Sequence, residues 1–365
     1  MNILLVNASP KGKRSNTLHI TQAFLKGMMS SGGHELHTFM LKDKHIEYCS
    51  GCFHCWSTRD GSCVFQDDMS EYKKLYMAAD VVIFSTPIYF FGPPARLKNL
   101  LDRTLPFYLP EIIDRKDQGQ KHNYRWDIGN KKIVLIATCG FYSYENNTEP
   151  LVRMFDICYG DQYEHIICPE GTLFSLEIFN DSTKAYLASA EKAGKEMAGD
   201  GRISEATKRD LVRRTYEKDD YLILANQYWI QTDENMTEKE KKLLLIRKRS
   251  SGMPVLFDSS LFGDAPTVIQ MDFPAFPYTV QLHLSRAEKK AVEDPKDFLP
   301  YHLRLEMDPD HFISIATRKK SSAEGDRQFG SSHASLTKLA MMAVRLQKRG
   351  IQKVLRISGN ENESA

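Results

Sequence analysis

In the first half of the chain, apolar residues gather in short unbroken runs: Asn2 to Asn7, Val81 to Thr86 ahead of Pro87, Ile133 to Thr138, and His165 to Cys168. Runs without polar alternation predict strands buried on both faces. Glu35 to Leu41 alternates and predicts a second strand. Helical spacing fills the gaps. Leu18, Phe24, Leu25 and Met28 share one face of a helix that starts near Thr17 and stops at Gly32-Gly33. Asp67-Asp68 supplies the N-cap for Met69 to Ala79. Pro93 to Arg103 starts with proline in its first turn, where a missing N–H costs nothing. A longer helical stretch runs from Ser182 to about Trp229. Strands separated by helices predict an α/β domain with a five-stranded, doubly wound parallel sheet.

Beyond Gln231 the pattern changes. Residues 231–235 are polar, and Glu238 to Lys242 is a charge run that reads as a linker, a solvated helix face, or both. Strand-like segments follow at Thr267 to Phe273, Tyr278 to Leu284 and Leu303 to Met307. A short helix behind an Asp308 N-cap, a helix from Leu336 to Lys348 and a strand at Val354 to Ser358 complete the reading. The expected organisation is therefore residues 1–230 as an α/β domain and 235–365 as a smaller α+β domain. The 365 residues suffice for both cores.

Composition narrows the field only modestly. With 42% hydrophobic and 26% charged residues the chain has ordinary globular composition, and a net charge of +2 gives no field that argues for nucleic acid. No apolar run is long enough to span a bilayer. Met1 to Val6 has no basic region ahead of it, and seven cysteines without an export signal lead us to expect a reducing cytoplasm.

The chemistry-bearing segments sit where the predicted strands end. Ser9-Pro10-Lys11-Gly12-Lys13-Arg14-Ser15-Asn16-Thr17 joins the first strand to the first helix, whose N-terminus offers free N–H groups and a positive dipole end. Its spacing is neither that of an NTPase loop nor that of a dinucleotide fingerprint. It reads either as a phosphate cradle or as a polar loop that caps the helix. Ser85-Thr86-Pro87-Ile88-Tyr89-Phe90-Phe91-Gly92-Pro93-Pro94 follows the third strand, at the end where open α/β sheets bind ligands. Its aromatics need a partner, which is a flat ring, the domain's own core or a second subunit. Thr138-Cys139-Gly140-Phe141 follows the next strand.

Together these loops resemble the flavodoxin-like NAD(P)H-dependent FMN reductase family over roughly residues 1–230. The resemblance implies that Ser9, Lys11, Ser15, Asn16 and Thr17 hold the FMN phosphate. It also implies that Pro87, Ile88, Tyr89 and Phe90 contact the flavin ring, with Thr138 and Gly140 beside its polar edge. NAD(P)H is the implied donor. The protein's share of such chemistry is orientation and exclusion of water, so no acid–base residue is named.

Cys49-x2-Cys52-x2-Cys55-x7-Cys63 places four thiols within one short stretch. Close C-x2-C-x2-C spacing with a fourth cysteine nearby suits a [4Fe–4S] cluster, whereas structural zinc usually uses two separated knuckles. The iron–sulfur flavoproteins, a branch of the same family, carry a four-cysteine motif in this position, yet cluster-free relatives keep a similar segment. Cluster and reduced thiols stay equal alternatives here. A cluster implies a homo-oligomer, because in that branch cluster and flavin meet across subunits. Cys139, Cys158 and Cys168 are scattered and read as small core or loop residues.

Leu303 to Thr317, a strand followed by Asp308-Pro-Asp-His-Phe312 and a short helix, resembles sterol-carrier-protein-like domains, which implies an apolar small-molecule ligand. An accessory domain making dimer contacts is the other reading. The functional expectation is an FMN-dependent oxidoreductase fed by NAD(P)H or a redox partner protein, with a [4Fe–4S] relay as an open addition. A quinone- or nitro-compound reductase and a flavodoxin-type electron carrier are the alternatives.

Overall fold

The computed structural model describes residues 1–160, 163–176, 179–227, 229–317 and 332–357. They form two compact units, one of residues 1–171 and 184–214, the other of residues 172–183 and the chain from 215.

The first unit is built on β1 (Asn2–Asn7), β2 (Glu35–Met40), β3 (Val81–Pro87), β6 (Lys132–Thr138) and β7 (Tyr163–Cys168). These strands pair in parallel in the order β2-β1-β3-β6-β7. That is the doubly wound, flavodoxin-like sheet the sequence predicts. The central strands are buried nearly end to end because both faces are covered. Helix α1 (Asn16–Met29) packs on β3 and β6. The opposite face carries α3 (Met69–Ala78), α4 (Ala95–Asp102) and α5 (Glu149–Tyr159), whose Tyr72, Tyr76, Leu97, Leu100, Leu151 and Phe155 share a core with Leu4, Val6, Val82, Phe84 and Leu135. The chain leaves β1 in one direction for β2 and returns on the other side for β3. The connectivity therefore reverses between β1 and β3, the place where this topology opens a crevice at the carboxyl ends.

Asp68 holds the N-cap position of α3 and the neighbouring Asp67 supplies the side-chain bond, its Oδ1 accepting from Met69 N at 3.1 Å, so the Asp67-Asp68 pair caps this helix as the sequence predicts; Asp68 Oδ2 accepts from His45 N. Three features add to the sequence expectation. An antiparallel hairpin, β4 (Tyr108–Asp114) with β5 (Gln120–Tyr124), stands between α4 and β6. Its Tyr108 and Tyr124 rings pack 4.8 Å apart. A one-turn helix α2 (His54–Ser57) lies in the cysteine segment. The stretch read as one long helix is α6 (Asn180–Asp200), α7 (Glu205–Leu211) and α8 (Lys218–Asn226), with α8 in the second unit.

The second unit holds a mixed sheet in the order β10-β9-β8-β11-β12. Its strands are β8 (Thr267–Phe273), β9 (Tyr278–Leu284), β10 (Lys289–Val292), β11 (Leu303–Met307) and β12 (Lys353–Ile357). The charge run starts a helix, α9 (Glu238–Gly252), closed by a Thr237–Glu240 capping box, so the solvated-face reading holds there. Asp308 caps α10 (Pro309–Thr317) through His311 N at 2.7 Å, as the sequence predicts. Helix α11 (Ser332–Arg349) follows and packs on β8. Inward residues such as Ile269, Met271, Leu282 and Leu305 make this core. The alternate residues of the same strands are polar and bonded to each other: Asp272 accepts from Gln270, Thr279 and Arg304.

Candidate functional site

Three loops leave the neighbouring carboxyl ends of β1, β3 and β6, and hydrogen bonds tie them together. Ile88 N donates to Thr138 O at 2.8 Å. The hydroxyls of Thr17 and Thr138 lie 2.7 Å apart, and Asn16 Nδ2 donates to Gly171 O at 2.9 Å. Gly171 itself has no room for a side chain, since a Cβ there would sit 2.7 Å from Cys139 O and 2.8 Å from Thr138 Cβ. This close approach brings the loop after β7 against the loop after β6, a link the sequence reading lacks.

In the first loop Asn7 Oδ1 accepts from Ser9 N and Ser9 Oγ accepts from Lys11 N. Ser9, Ser15 and Thr17 are buried, while Lys11, Lys13 and Arg14 are exposed. Ser15 holds the N-cap position of α1 without a side-chain cap bond. The helix therefore opens on the N–H groups of Asn16 and Thr17, which have no intrahelical partners. The resemblance puts Asn16 and Thr17 at the phosphate. In the structure both side chains bond within the protein, Asn16 to Gly171 O and Thr17 to Thr138, and the main-chain N–H groups of both stand at the open start of the helix.

The second loop is a tight turn in which Tyr89 and Gly92 exchange both backbone bonds at 3.0 Å. Phe90 and Phe91 have φ of 49° and 62°, a left-handed backbone that side-chain-bearing residues rarely keep without a compensating role. Phe90 is 98% exposed, and Tyr89, Phe91 and Phe141 are also exposed. Phe91 stacks on Phe141 with centroids 6.2 Å apart and planes inclined by 21°. Pro87 ends β3 and Ile88 is buried beneath the turn. Gly140 is exposed beside Phe141. An apolar, partly strained surface thus stands beside an uncapped helix N-terminus at the sheet's switch point. Phe91 and Phe141 belong to it, although the sequence reading named neither as a site residue.

The cysteine segment occupies a separate part of the same unit. Cys49, Cys52, Cys55 and Cys63 all line one recess, together with Phe53, Phe65, Arg103 and Pro106. All four are free thiols; Cys49 and Cys52 are exposed, Cys63 half-buried and Cys55 buried. Among the described residues, no three His, Cys, Asp or Glu side chains group closely enough to hold a single metal ion. The Cys52 thiol is held below its usual pKa by the N–H of His54 and the Ser50 hydroxyl. Burial pushes Cys55 upward, with further pressure from Cys63, Cys49 and Cys52. Cys139 and Cys168 are buried and pushed up by desolvation.

Two arginines hold the cysteine segment in place. Arg125 donates to the carbonyls of Cys55 at 3.0 Å, Arg59 at 3.1 Å, Pro106 at 3.2 Å and Tyr108 at 3.3 Å. Gly61, at φ +67°, leaves its space: a Cβ there would lie 2.5 Å from Arg125 Nε. Arg103 is buried and forms a two-pronged pair with Asp67, Nη1 to Oδ2 at 2.6 Å and Nη2 to Oδ1 at 3.2 Å. It also donates to Glu47 O at 2.7 Å and to Cys63 Sγ at 3.6 Å. Burial works against the Asp67 carboxylate, but Arg103 and the N–H groups of Glu47 and Met69 hold it below the usual range. Neither arginine is visible as a motif, because each acts on residues far away in sequence.

Residues 1–193 match the family model described as flavodoxin-like fold. The chain belongs to this family. It is 36% identical over 107 residues to an iron-sulfur flavoprotein of Archaeoglobus fulgidus, a match covering 29% of this chain and 47% of that protein. It is 33% identical over 119 residues to the iron-sulfur flavoprotein MJ1083 of Methanocaldococcus jannaschii, covering 33% and 60%. The chain thus spans about half the length of the curated relatives it matches. Among solved structures, the NAD(P)H:quinone oxidoreductase from Methanothermobacter marburgensis is 17% identical with a TM-score of 0.39, covering 54% of this chain and 96% of that one. An FMN-dependent NADH-azoreductase from Bacillus anthracis str. Ames Ancestor, in complex with FMN, is 14% identical with a TM-score of 0.39, covering 55% and 100%. Within the flavodoxin-like unit, both the strand-end loops and the cysteine recess lie in the matched segment.

Proposed function

We propose that this chain is an FMN-dependent oxidoreductase that passes electrons from NAD(P)H or a protein donor, with Cys49, Cys52, Cys55 and Cys63 as ligands of a [4Fe–4S] relay. The observation that carries the reading is the presence of two sites in one unit. One is an uncapped helix N-terminus beside exposed aromatics at the switch point; the other is a recess lined by four free cysteines. The first suits a group with an anion at one end and a flat apolar ring at the other. The second suits a centre that asks for four thiolates. Relatives named as iron-sulfur flavoproteins support joining the two.

The chain's residues divide the work. The N–H groups of Asn16 and Thr17, with Ser9 and Ser15 around them, receive the phosphate, and exposed Lys11 adds charge. Tyr89, Phe90, Phe91 and Phe141 cover the ring and exclude water, over the floor made by Pro87 and Ile88. Thr138 and Gly140 stand at its polar edge. FMN, when bound, supplies hydride acceptance and one-electron transfer.

The visible spectrum of anaerobically purified protein, with iron and sulfide assays, tests this. Flavin bands with close to four irons per chain are the expected result. Fewer than about two irons per chain after reconstitution overturns the cluster. A colourless protein that takes up no FMN overturns the whole reading. NAD(P)H oxidation with quinone or ferricyanide supports an enzyme; reduction by a protein donor alone marks an electron carrier.

A further inference from the structure

We infer that Arg103 is a positioning residue of the cysteine centre, its guanidinium donating to the Cys63 sulfur and so biasing that centre toward its reduced state. The inference rests on the cluster reading above and goes beyond it, since a four-thiol site by itself names no cation. Arg103 lines the recess with all four cysteines. It is 2% exposed, so its charge is not screened by water as a surface arginine's would be.

Four restraints fix the direction in which it donates. Asp67 takes both prongs of the fork, Glu47 O takes a further bond, and the Phe65 ring lies 5.1 Å from the guanidinium carbon. What remains of Nη2 faces Cys63 Sγ at 3.6 Å. Hydrogen bonds to ligand sulfurs and net charge nearby are two levers by which a protein sets the potential of such a centre. Reduction adds negative charge that the sulfurs share, and a fixed N–H donor favours that state. Asp67 opposes the effect by neutralising part of the cation. The two residues therefore pull the potential in opposite directions while contributing to the same packing. A purely structural role has no such signature.

The test is a redox titration of anaerobically purified, cluster-loaded protein, followed by the spectrum of the iron centre, with bound FMN and circular dichroism as folding controls. Arg103→Lys keeps the charge but loses the fork that reaches sulfur, and its midpoint is expected to fall. Asp67→Asn keeps the side-chain volume and, with its oxygen toward Met69 N, the cap of α3, but it removes the opposing charge and the acceptor that Arg103 Nη1 and Glu47 N share; its midpoint is expected to rise. A tenfold change in the one-electron equilibrium corresponds to 59 mV. Opposite shifts of that order, at unchanged iron content, support the inference. Loss of iron from Arg103→Lys with FMN retained is what a structural anchor alone would give, and the midpoint of Asp67→Asn then decides. Unchanged midpoints in both variants, or shifts of the same sign, overturn it and leave the cluster reading intact. If Arg103→Lys does not fold, Asp67→Asn decides alone, and an unshifted midpoint overturns the inference. Wild-type protein without iron overturns both readings at once.

Discussion

The strand-end loops and the cysteine segment lie in one unit but are held by different means. The loops after β1, β3 and β6 hang from parallel strands whose backbone ladder sets their positions, and short contacts such as Ile88 N to Thr138 O finish the job. The cysteine segment contains only the four-residue α2. Long side chains from elsewhere anchor it: Arg125 reaches back 70 residues to Cys55 O and Arg103 reaches 36 residues to Asp67. A site built on main chain tolerates the loss of single side chains; a site built on two guanidinium groups does not. Arg103 is the sharpest place to break that contrast. Arg103→Met leaves the buried Asp67 carboxylate unpaired and is expected to cost about 3–5 kcal/mol in urea unfolding at pH 7. The sign with pH follows from Asp67. Its folded carboxyl is held below the usual range, so its contribution is full above the unfolded value of about 3.9 and is lost as pH falls through the folded one. The gap between wild type and Arg103→Met therefore closes below about pH 4. A gap that persists there would mean that packing, not the ion pair, holds the segment.

Arg125 comes next. Its donors meet several carbonyls, and bonds to charged groups contribute more than neutral ones, but it is only partly buried. Arg125→Met is expected to cost about 2–3 kcal/mol and to lower iron content while leaving FMN binding in place. Equal loss of iron and FMN would end the claim that the two sites are held independently.

What the sequence discloses follows the same division. Continuous apolar runs mark β1, β3 and β6 because both faces of the sheet are covered, and the loops that matter are wherever those runs end. The β4–β5 hairpin is missed because Gln120–Tyr124 is exposed and shows no apolar alternation, and edge strand β10, Lys289–Val292, is too short and charged to show one. The four cysteines are legible as a set, yet nothing local marks Arg103 or Arg125 as their support. The Asp67-Asp68 pair is legible as the cap of α3; only the fold shows that Asp67 serves both helix and arginine.

On the main-chain side the effects shrink. Thr17→Val deprives the Thr138 hydroxyl of its buried partner and is expected to cost about 1 kcal/mol of stability. Its FMN affinity is expected to stay within about threefold, less than 1.4 kcal/mol, because the N–H of residue 17 is unchanged. A hundredfold loss would return the anion contact to the Thr17 side chain.

The smallest stability effect is expected at the most exposed aromatic. Phe90 is 98% exposed at φ 49°, so Phe90→Gly removes almost no packing. Relief of the left-handed backbone is worth about 1 kcal/mol, and the extra freedom of glycine in the unfolded chain offsets about 0.5–1 kcal/mol of it. The midpoint of urea unfolding without FMN should therefore barely move. Flavin affinity should nevertheless weaken about tenfold, or 1.4 kcal/mol, because a large apolar face no longer meets the ring. Stability and affinity measured on the same variant thus separate a residue kept strained for a ligand from one tolerated by the fold. If affinity stays unchanged, the ring contact belongs to Phe91 and Phe141, whose stacked pair would then be the next to remove.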